Sequence, residues 1–299
     1  LKNTFCIGVD NRFYPSPYVG DLEDLRTVKA LKETIGRLET LLEVQPEVVV
    51  CDLHPKYNST VVAEELGLPV LRVQHHYAHI LSCMAENDCE EKVIGVSFDG
   101  TGYGTDGTIW GGELLVADCQ GFTRLGSIEP FVQVGGDISA KEGWRIAVSL
   151  IWQNMGNLEK TLDTVRKLGL CTDQEAKVLV TMAQRKINAV TSTSAGRLFD
   201  GVSAILGIRR ASTFEGEAST ALEFAAEAWR KQREMQKKNP EENLKIRMSE
   251  KEDIPESTGI SEASEDERKF ILNTGEIVAY LVRARLAGED PGKLAYGFH

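Results

Sequence analysis

The chain has 299 residues, 42% of them hydrophobic and 26% charged, with a formal net charge of −11 and a pI near 5.1. That length exceeds the usual span of one hydrophobic core and argues for two domains or lobes, while the acidic balance argues against a nucleic-acid surface, which needs clustered Lys and Arg. No stretch approaches the roughly 20 unbroken apolar residues of a membrane span, and no charged, apolar, small-residue series opens the chain, so it reads as a soluble protein acting on small molecules or other proteins.

In chain order, FCIGVDNRFYPSPY predicts strand, turn and strand, with Asp10-Asn11 as the turn. The next segment, GDLEDLRTVKALKETIGRLETLLEV, carries Leu22, Leu25, Val28, Leu31, Ile35, Leu38 and Leu42 at steps of three or four. This predicts one long amphipathic helix with Asp21 as its N-cap. EVVVCDL reads as a buried strand, TVVAEELG as a helix, and PVLRVQ as a second strand that feeds a histidine-rich helix. A second strand-turn-strand begins at KVIGVSFDGTGYGTDGTIWGGELLVAD. Strands alternate with helices, so the class is α/β. Each hairpin heads a stretch in which helices follow, which suggests two lobes of related design, residues 1–93 and 94–299.

Residues 231–269 hold no aromatic side chain and are crowded with Glu, Lys, Ser and Asp. Such a composition buries too little apolar surface to offset the entropy of ordering, and predicts a mobile insertion or a solvated helix extension. GEIVAYLVRARLAG then has helical spacing. The six cysteines form no C-x-x-C pair and most sit in apolar runs, which fits reduced thiols in a cytoplasm better than a disulfide frame or a zinc knuckle. The chain opens on a strand at LKNTFCIGV and stops inside a helical pattern at KLAYGFH, so a piece of a longer polypeptide is expected.

VQHHYAHI places three of the five histidines within five residues. On a helix starting near His75, residues four apart lie on one face, so His75 and His79 can both reach one divalent ion at about 2.0–2.1 Å. The competing reading is a helix start whose histidines hydrogen-bond locally. His76 lies off the shared face and is read as structural or supporting. A metalloprotease needs Glu directly after the first His as general base; here that position is His76, so the protease reading loses its base.

Gly102-Tyr103-Gly104-Thr105-Asp106-Gly107 satisfies G-x-G-x-x-G, but a dinucleotide fingerprint requires a helix next and TIWGGELLVAD is a strand. A glycine-rich turn between strands instead lets backbone N–H groups approach a phosphate, or is a plain hairpin. Asp99, at the end of the first strand, is the natural carboxylate to join two imidazoles on a metal.

VQHHYAHI, SFDGTGYGTDGTIWGGE, STSAGRLFDGVSAILG and FEGEA, with GDLEDL and DLHPKYNST before them, resemble the HypF carbamoyltransferases of hydrogenase maturation, in particular their C-terminal TsaD-like part. The resemblance covers the chain apart from the charged insertion. It implies a two-lobed fold of the actin, heat-shock chaperone and sugar-kinase (ASKHA) type. It implies carbamoyl-adenylate, made from carbamoyl phosphate and ATP, as donor, and the C-terminal cysteine of HypE as acceptor, on the way to the cyanide ligand of [NiFe]-hydrogenase. His75, His79 and Asp99 fall on the family's metal ligands, with iron or zinc as the ion. Gly100, Thr101 and Gly102 fall on its phosphate-side hairpin, and Asp200, Glu215 and Gly216 on positions around the nucleotide's ribose and base.

The family's acylphosphatase-like, zinc-finger-like and YrdC-like parts have no counterpart in these residues, so such parts are expected in the same or a separate chain. A later nucleotide loop and a final aspartate ligand are expected beyond His299. Val134 stands where the family usually has proline, which bears on the stiffness of that loop. Two other classes stay open: a TsaD-like threonylcarbamoyl transferase acting on tRNA, which would share fold and metal but which the net charge of −11 disfavours, and a non-catalytic nucleotide-binding module.

Overall fold

A computed structural model of the chain describes residues 2–237, 260–262 and 270–299. The charged segment expected between 231 and 269 is described only in part. Residues 231–237 prolong a helix, and 238–259 and 263–269 lie outside the described residues. The chain divides into two compact units, one of residues 1–79 and 102–105, the other of residues 80–101 and 106–299.

The first unit opens with β1 (Lys2–Asn3), β2 (Cys6–Val9), β3 (Arg12–Pro15) and β4 (Gly20–Asp21). β2 and β3 form the expected antiparallel hairpin, closed by Val9 opposite Arg12. Asp10 takes φ 54° in its turn, a left-handed conformation that Asp and Asn tolerate better than most residues. The long helix is α1 (Leu25–Leu42), and here the structure corrects the sequence reading. Its N-cap is Asp24, whose carboxylate accepts the Arg26 N–H at 2.8 Å. Asp21 belongs to β4 and accepts the Glu23 N–H at 2.9 Å, turning the chain four residues before the helix begins. Two aspartates in one turn both satisfy the capping chemistry, and only the backbone path selects between them.

β5 (Val49–Asp52), α2 (Asn58–Glu65) and β6 (Val70–Val73) follow, β5 and β6 pairing in parallel from Val49 opposite Val70 to Asp52 opposite Val73. A small core gathers Leu22, Leu31 and Val62. α3 (His75–Glu86) starts directly after β6.

β7 (Val93–Tyr103), which belongs to the second unit as far as Thr101, pairs with β8 (Ile109–Asp118). A strand therefore follows the glycine-rich turn, as its sequence requires. β9 (Gly121–Ile128), β10 (Phe131–Val134), a 3-10 turn (Gly136–Ala140), α4 (Gly143–Met155), α5 (Leu158–Leu168), α6 (Asp173–Arg185), β11 (Ala189–Ser192), α7 (Ala195–Ile205) and α8 (Glu217–Lys237) come next. β12 (Ile260–Glu262), β13 (Phe270–Leu272), α9 (Thr274–Leu286) and α10 (Pro291–Phe298) complete the described residues. Among them the sheet has seven strands in the order β10-β11-β8-β9-β13-β12, with β7 also on β8. It is mixed: β8 and β9 are antiparallel, whereas β11 with β8 and β13 with β9 are parallel. Val134 is the last residue of β10, paired with Ala189, and Gly135 and Gly136 after it take φ of 107° and 59°. The loop's turn is thus made by glycines behind the position where the family usually has proline.

The core lies among α4, α5, α6, α7 and α9, with Ile146, Val148, Ile151, Val165, Val202 and Leu281 closed to solvent. α4 and α7 cross where Gly143 faces the Asp200 carbonyl; a Cβ at Gly143 would stand 2.7 Å from that oxygen. Among the described residues no helix is long and apolar enough to cross a membrane.

Candidate metal and nucleotide site

α3 begins one residue after β6, so the histidine turn projects from the end of a strand. Gln74 starts it: its side-chain Oε1 accepts the Tyr77 N–H at 2.9 Å, and its backbone carbonyl accepts from Ala78. The i,i+4 spacing then brings His75 Nε2 and His79 Nε2 to 3.3 Å. Two nitrogens bound to one tetrahedral ion at 2.0–2.1 Å stand about 3.3–3.4 Å apart, so this pair already has the separation that a shared ion requires.

His75 is oriented from behind. Its Nδ1–H donates to Asp52 Oδ2 at 2.7 Å, which leaves the lone pair on Nε2 and makes that nitrogen a better ligand. Asp52 ends β5 and also accepts the His54 N–H at 2.8 Å. Burial by itself would raise the Asp52 carboxyl, but the hydrogen bonds from His75 and His54 outweigh it and hold the group below the usual carboxylate range. His54 stacks on Tyr57 at 3.9 Å and meets Tyr103 edge-on at 5.1 Å. Burial lowers its own pKa against the pull of Asp52, which keeps it neutral near pH 7.

His76 turns inward and is fully buried, its Nδ1 accepting from Gln74 Nε2 at 3.1 Å. Gly102 makes room for it: a Cβ there would lie 2.3 Å from His76 Cε1 and 3.0 Å from His75 Cβ. This glycine is needed for close packing against the histidine turn.

In the second unit Asp99 and Gly100 belong to β7, and Asp99 Oδ1 accepts the Gly100 N–H at 2.6 Å. Thr101 is exposed on the same strand. Nothing stands within 4 Å of the Cβ that Gly100 lacks. Asp200 is buried on α7, with Oδ2 accepting from Arg197 Nε at 2.7 Å. Burial raises its carboxyl although Arg197 opposes that. Glu215 is exposed and Gly216 takes φ 77° in the turn before α8, where Ser219 Oγ donates to the Gly216 carbonyl at 3.0 Å.

The structure thus brings His75 to His79 and sets Gly102 against the histidine turn, while Asp200, Glu215 and Gly216 lie on and after α7. Two contributors escape the spacing argument. Asp52 is 23 residues before its histidine, and the signal for it is a carboxylate at the carboxyl end of a parallel strand; that strand is apolar in sequence but, against the expectation of a buried strand, partly exposed. Ser194 caps α7 and donates to the Gly100 carbonyl at 2.6 Å; its signal is a Ser just ahead of an apolar helical run.

Residues 1–86 match the family model described as the HypF Kae1-like domain, and residues 95–299 match the second subdomain of the carbamoyltransferase Kae1-like domain. The chain is 37% identical over 231 residues to the probable carbamoyltransferase HypF of Methanocaldococcus jannaschii, covering 76% of this chain and 30% of that protein. It is 40% identical over 235 residues to the carbamoyltransferase HypF of Synechocystis sp., covering 74% and 30%. Among solved structures, full-length HypF in its phosphate- and nucleotide-bound form superposes with a TM-score of 0.81 at 31% identity, over 99% of this chain and 35% of that one. T. kodakarensis HypF superposes with a TM-score of 0.77 at 26% identity, over 99% and 36%. The chain spans about a third of the length of these relatives. The mixed-sheet α/β architecture is accordingly the Kae1-like one of the ASKHA type, and the chain belongs to the HypF carbamoyltransferase family, matching its Kae1-like domain.

Proposed function

We propose that this chain is the transferase part of a HypF-type enzyme, holding carbamoyl-adenylate and passing its carbamoyl group to the C-terminal cysteine of HypE. The observation that carries the proposal is the His75–His79 pair, 3.3 Å apart at Nε2 with His75 held by Asp52. Asp99 is assigned as the third, charged ligand on the family resemblance. A divalent iron or zinc ion held by these residues supplies positive charge at the phosphate of the adenylate. The backbone of Gly100, Thr101 and Gly102 lies alongside that phosphate, with no side chain on Gly100 to bar its approach. Asp200, Glu215 and Gly216 hold the ribose and base. A nucleotide-bound HypF relative supports ATP-derived chemistry in this fold.

In the transfer the HypE thiolate attacks the carbamoyl carbon, a C–S bond forms, the bond from that carbon to the phosphate oxygen breaks, and AMP leaves. No cysteine of this chain becomes acylated. Acylphosphatase-like and YrdC-like parts, in the same or a separate chain, supply the adenylate.

The test has two arms. Metal analysis of purified wild type should find one iron or zinc ion per chain, absent from the His75→Ala/His79→Ala variant; equal stoichiometry in both removes the site. With preformed carbamoyl-adenylate and HypE, mass spectrometry should show a carbamoyl adduct on the HypE terminal cysteine, falling steeply with Asp99→Ala because only two neutral imidazoles then remain. Equal adduct with Asp99→Ala takes Asp99 out of the transfer, and modification of tRNA in place of HypE replaces this reading with the tRNA transferase.

A further inference from the structure

Glu113 is a fully buried carboxylate in the middle of β8, a costly placement unless every lone pair is used. Its Oε2 accepts from Arg124 Nε at 2.7 Å. Its Oε1 accepts the Thr193 hydroxyl and the Gly111 N–H, the latter at 3.3 Å. Arg124 reaches outward from there. Its guanidinium lies 4.2 Å over the Trp110 ring, and its Nη1 donates to Asp106 Oδ2 at 3.2 Å. Trp110 Nε1 donates to the other oxygen of Asp106 at 3.0 Å. One connected set of bonds therefore runs from the turn of the glycine hairpin through the sheet to Thr193.

Thr193 precedes the N-cap of α7, and that junction grips the hairpin. Ser194 Oγ accepts the Arg197 N–H at 3.0 Å and donates to the Gly100 carbonyl at 2.6 Å. A Cβ on Gly196 would meet Gly100 Cα at 2.8 Å. One on Gly111 would meet the Asp99 carbonyl at 2.6 Å and Ser194 Cα at 2.9 Å. Three backbone segments thus touch without room for a methyl group, and Glu113 is the side chain bonded to two of them.

We propose that Glu113 is a positioning residue, which through Thr193 and Gly111 holds the Asp99–Gly100 segment and the start of α7 in one geometry and so sets the affinity for the nucleotide phosphate. This rests on the nucleotide-binding role proposed above. Breaking the link leaves the fold's core in α4 to α7 intact, because none of its residues contributes to the network.

Two variants test it in the chain, Glu113→Gln, which sets an amide N–H against either Arg124 or the Gly111 N–H, and Thr193→Val, which removes the hydroxyl link. Hydrogen exchange read by mass spectrometry should speed up about tenfold or more in peptides covering 97–102 and 193–197 together, with the helices of the core unchanged. Titration with ATP should show Kd raised about tenfold, with iron or zinc stoichiometry as in wild type. Unchanged protection in both peptides overturns the proposal, as does wild-type ATP affinity in a folded variant whose melting temperature alone has dropped. If Glu113→Gln does not fold, Thr193→Val decides by the same readings. Absence of ATP binding in wild type counts against the nucleotide reading itself, and exchange still decides whether Glu113 couples the two segments.

Discussion

Asp52 is a half-buried carboxylate and Asp200 a buried one, and their surroundings push them in opposite directions. Asp52 is lowered, so its stabilisation is fully present above the unfolded carboxyl value and is lost as pH falls through its folded value. Its larger use is to fix the tautomer of His75, and Asp52→Asn should weaken iron or zinc binding by about 10–100-fold with the fold retained; an unchanged competition titration would show that the orientation is dispensable. Asp200 is raised, chiefly by burial, with Arg197 opposing. In the window from its unfolded value up to its raised folded value the native state binds more protons, so this group's contribution declines as pH rises. Denaturant titrations across that window should show the decline in wild type and its absence in Asp200→Asn; parallel curves would place the group's pKa at its ordinary value. Of these residues, His75 and His79 were legible in the sequence because four residues on a helix is one turn. Asp52 was not, since its partner is 23 positions away along the chain.

Among elements, those with a strong local period are where the sequence puts them: α1, the β5-α2-β6 run, α3 and the β7-β8 hairpin all follow from spacing and turn residues. The shift of the α1 cap from Asp21 to Asp24 marks the limit of that information, because both residues bond to a backbone N–H two positions on. α6 shows the same chemistry made unambiguous. Thr172 Oγ1 accepts the Glu175 N–H while Glu175 reaches back to the Thr172 N–H at 2.8 Å, a reciprocal capping box. Thr172→Ala should cost about 1 kcal/mol in thermal or chemical denaturation, and a loss near zero would mean that the helix end is held by packing alone.

For the whole molecule, the net charge of −11 disfavours the tRNA transferase reading. A tRNA-modifying protein must neutralise phosphates with clustered cations, so filter binding at physiological salt should find tRNA held no more tightly than non-specific contacts, about 10⁻⁴–10⁻⁶ M; tight, strongly salt-dependent binding would favour the tRNA transferase. By itself the sequence determined the α/β class, the histidine pair, the strand after the glycine turn and the family, because each depends on residues within a few positions of one another or on long contiguous motifs. Only the tertiary structure decided that Asp52 backs His75, that Ser194 grips Gly100 across 94 residues, and that Glu113 meets Thr193 across 80. Those pairings depend on which strands and helix ends the core brings side by side, and a buried carboxylate gives no sign in its own neighbourhood of the partner that the packing supplies.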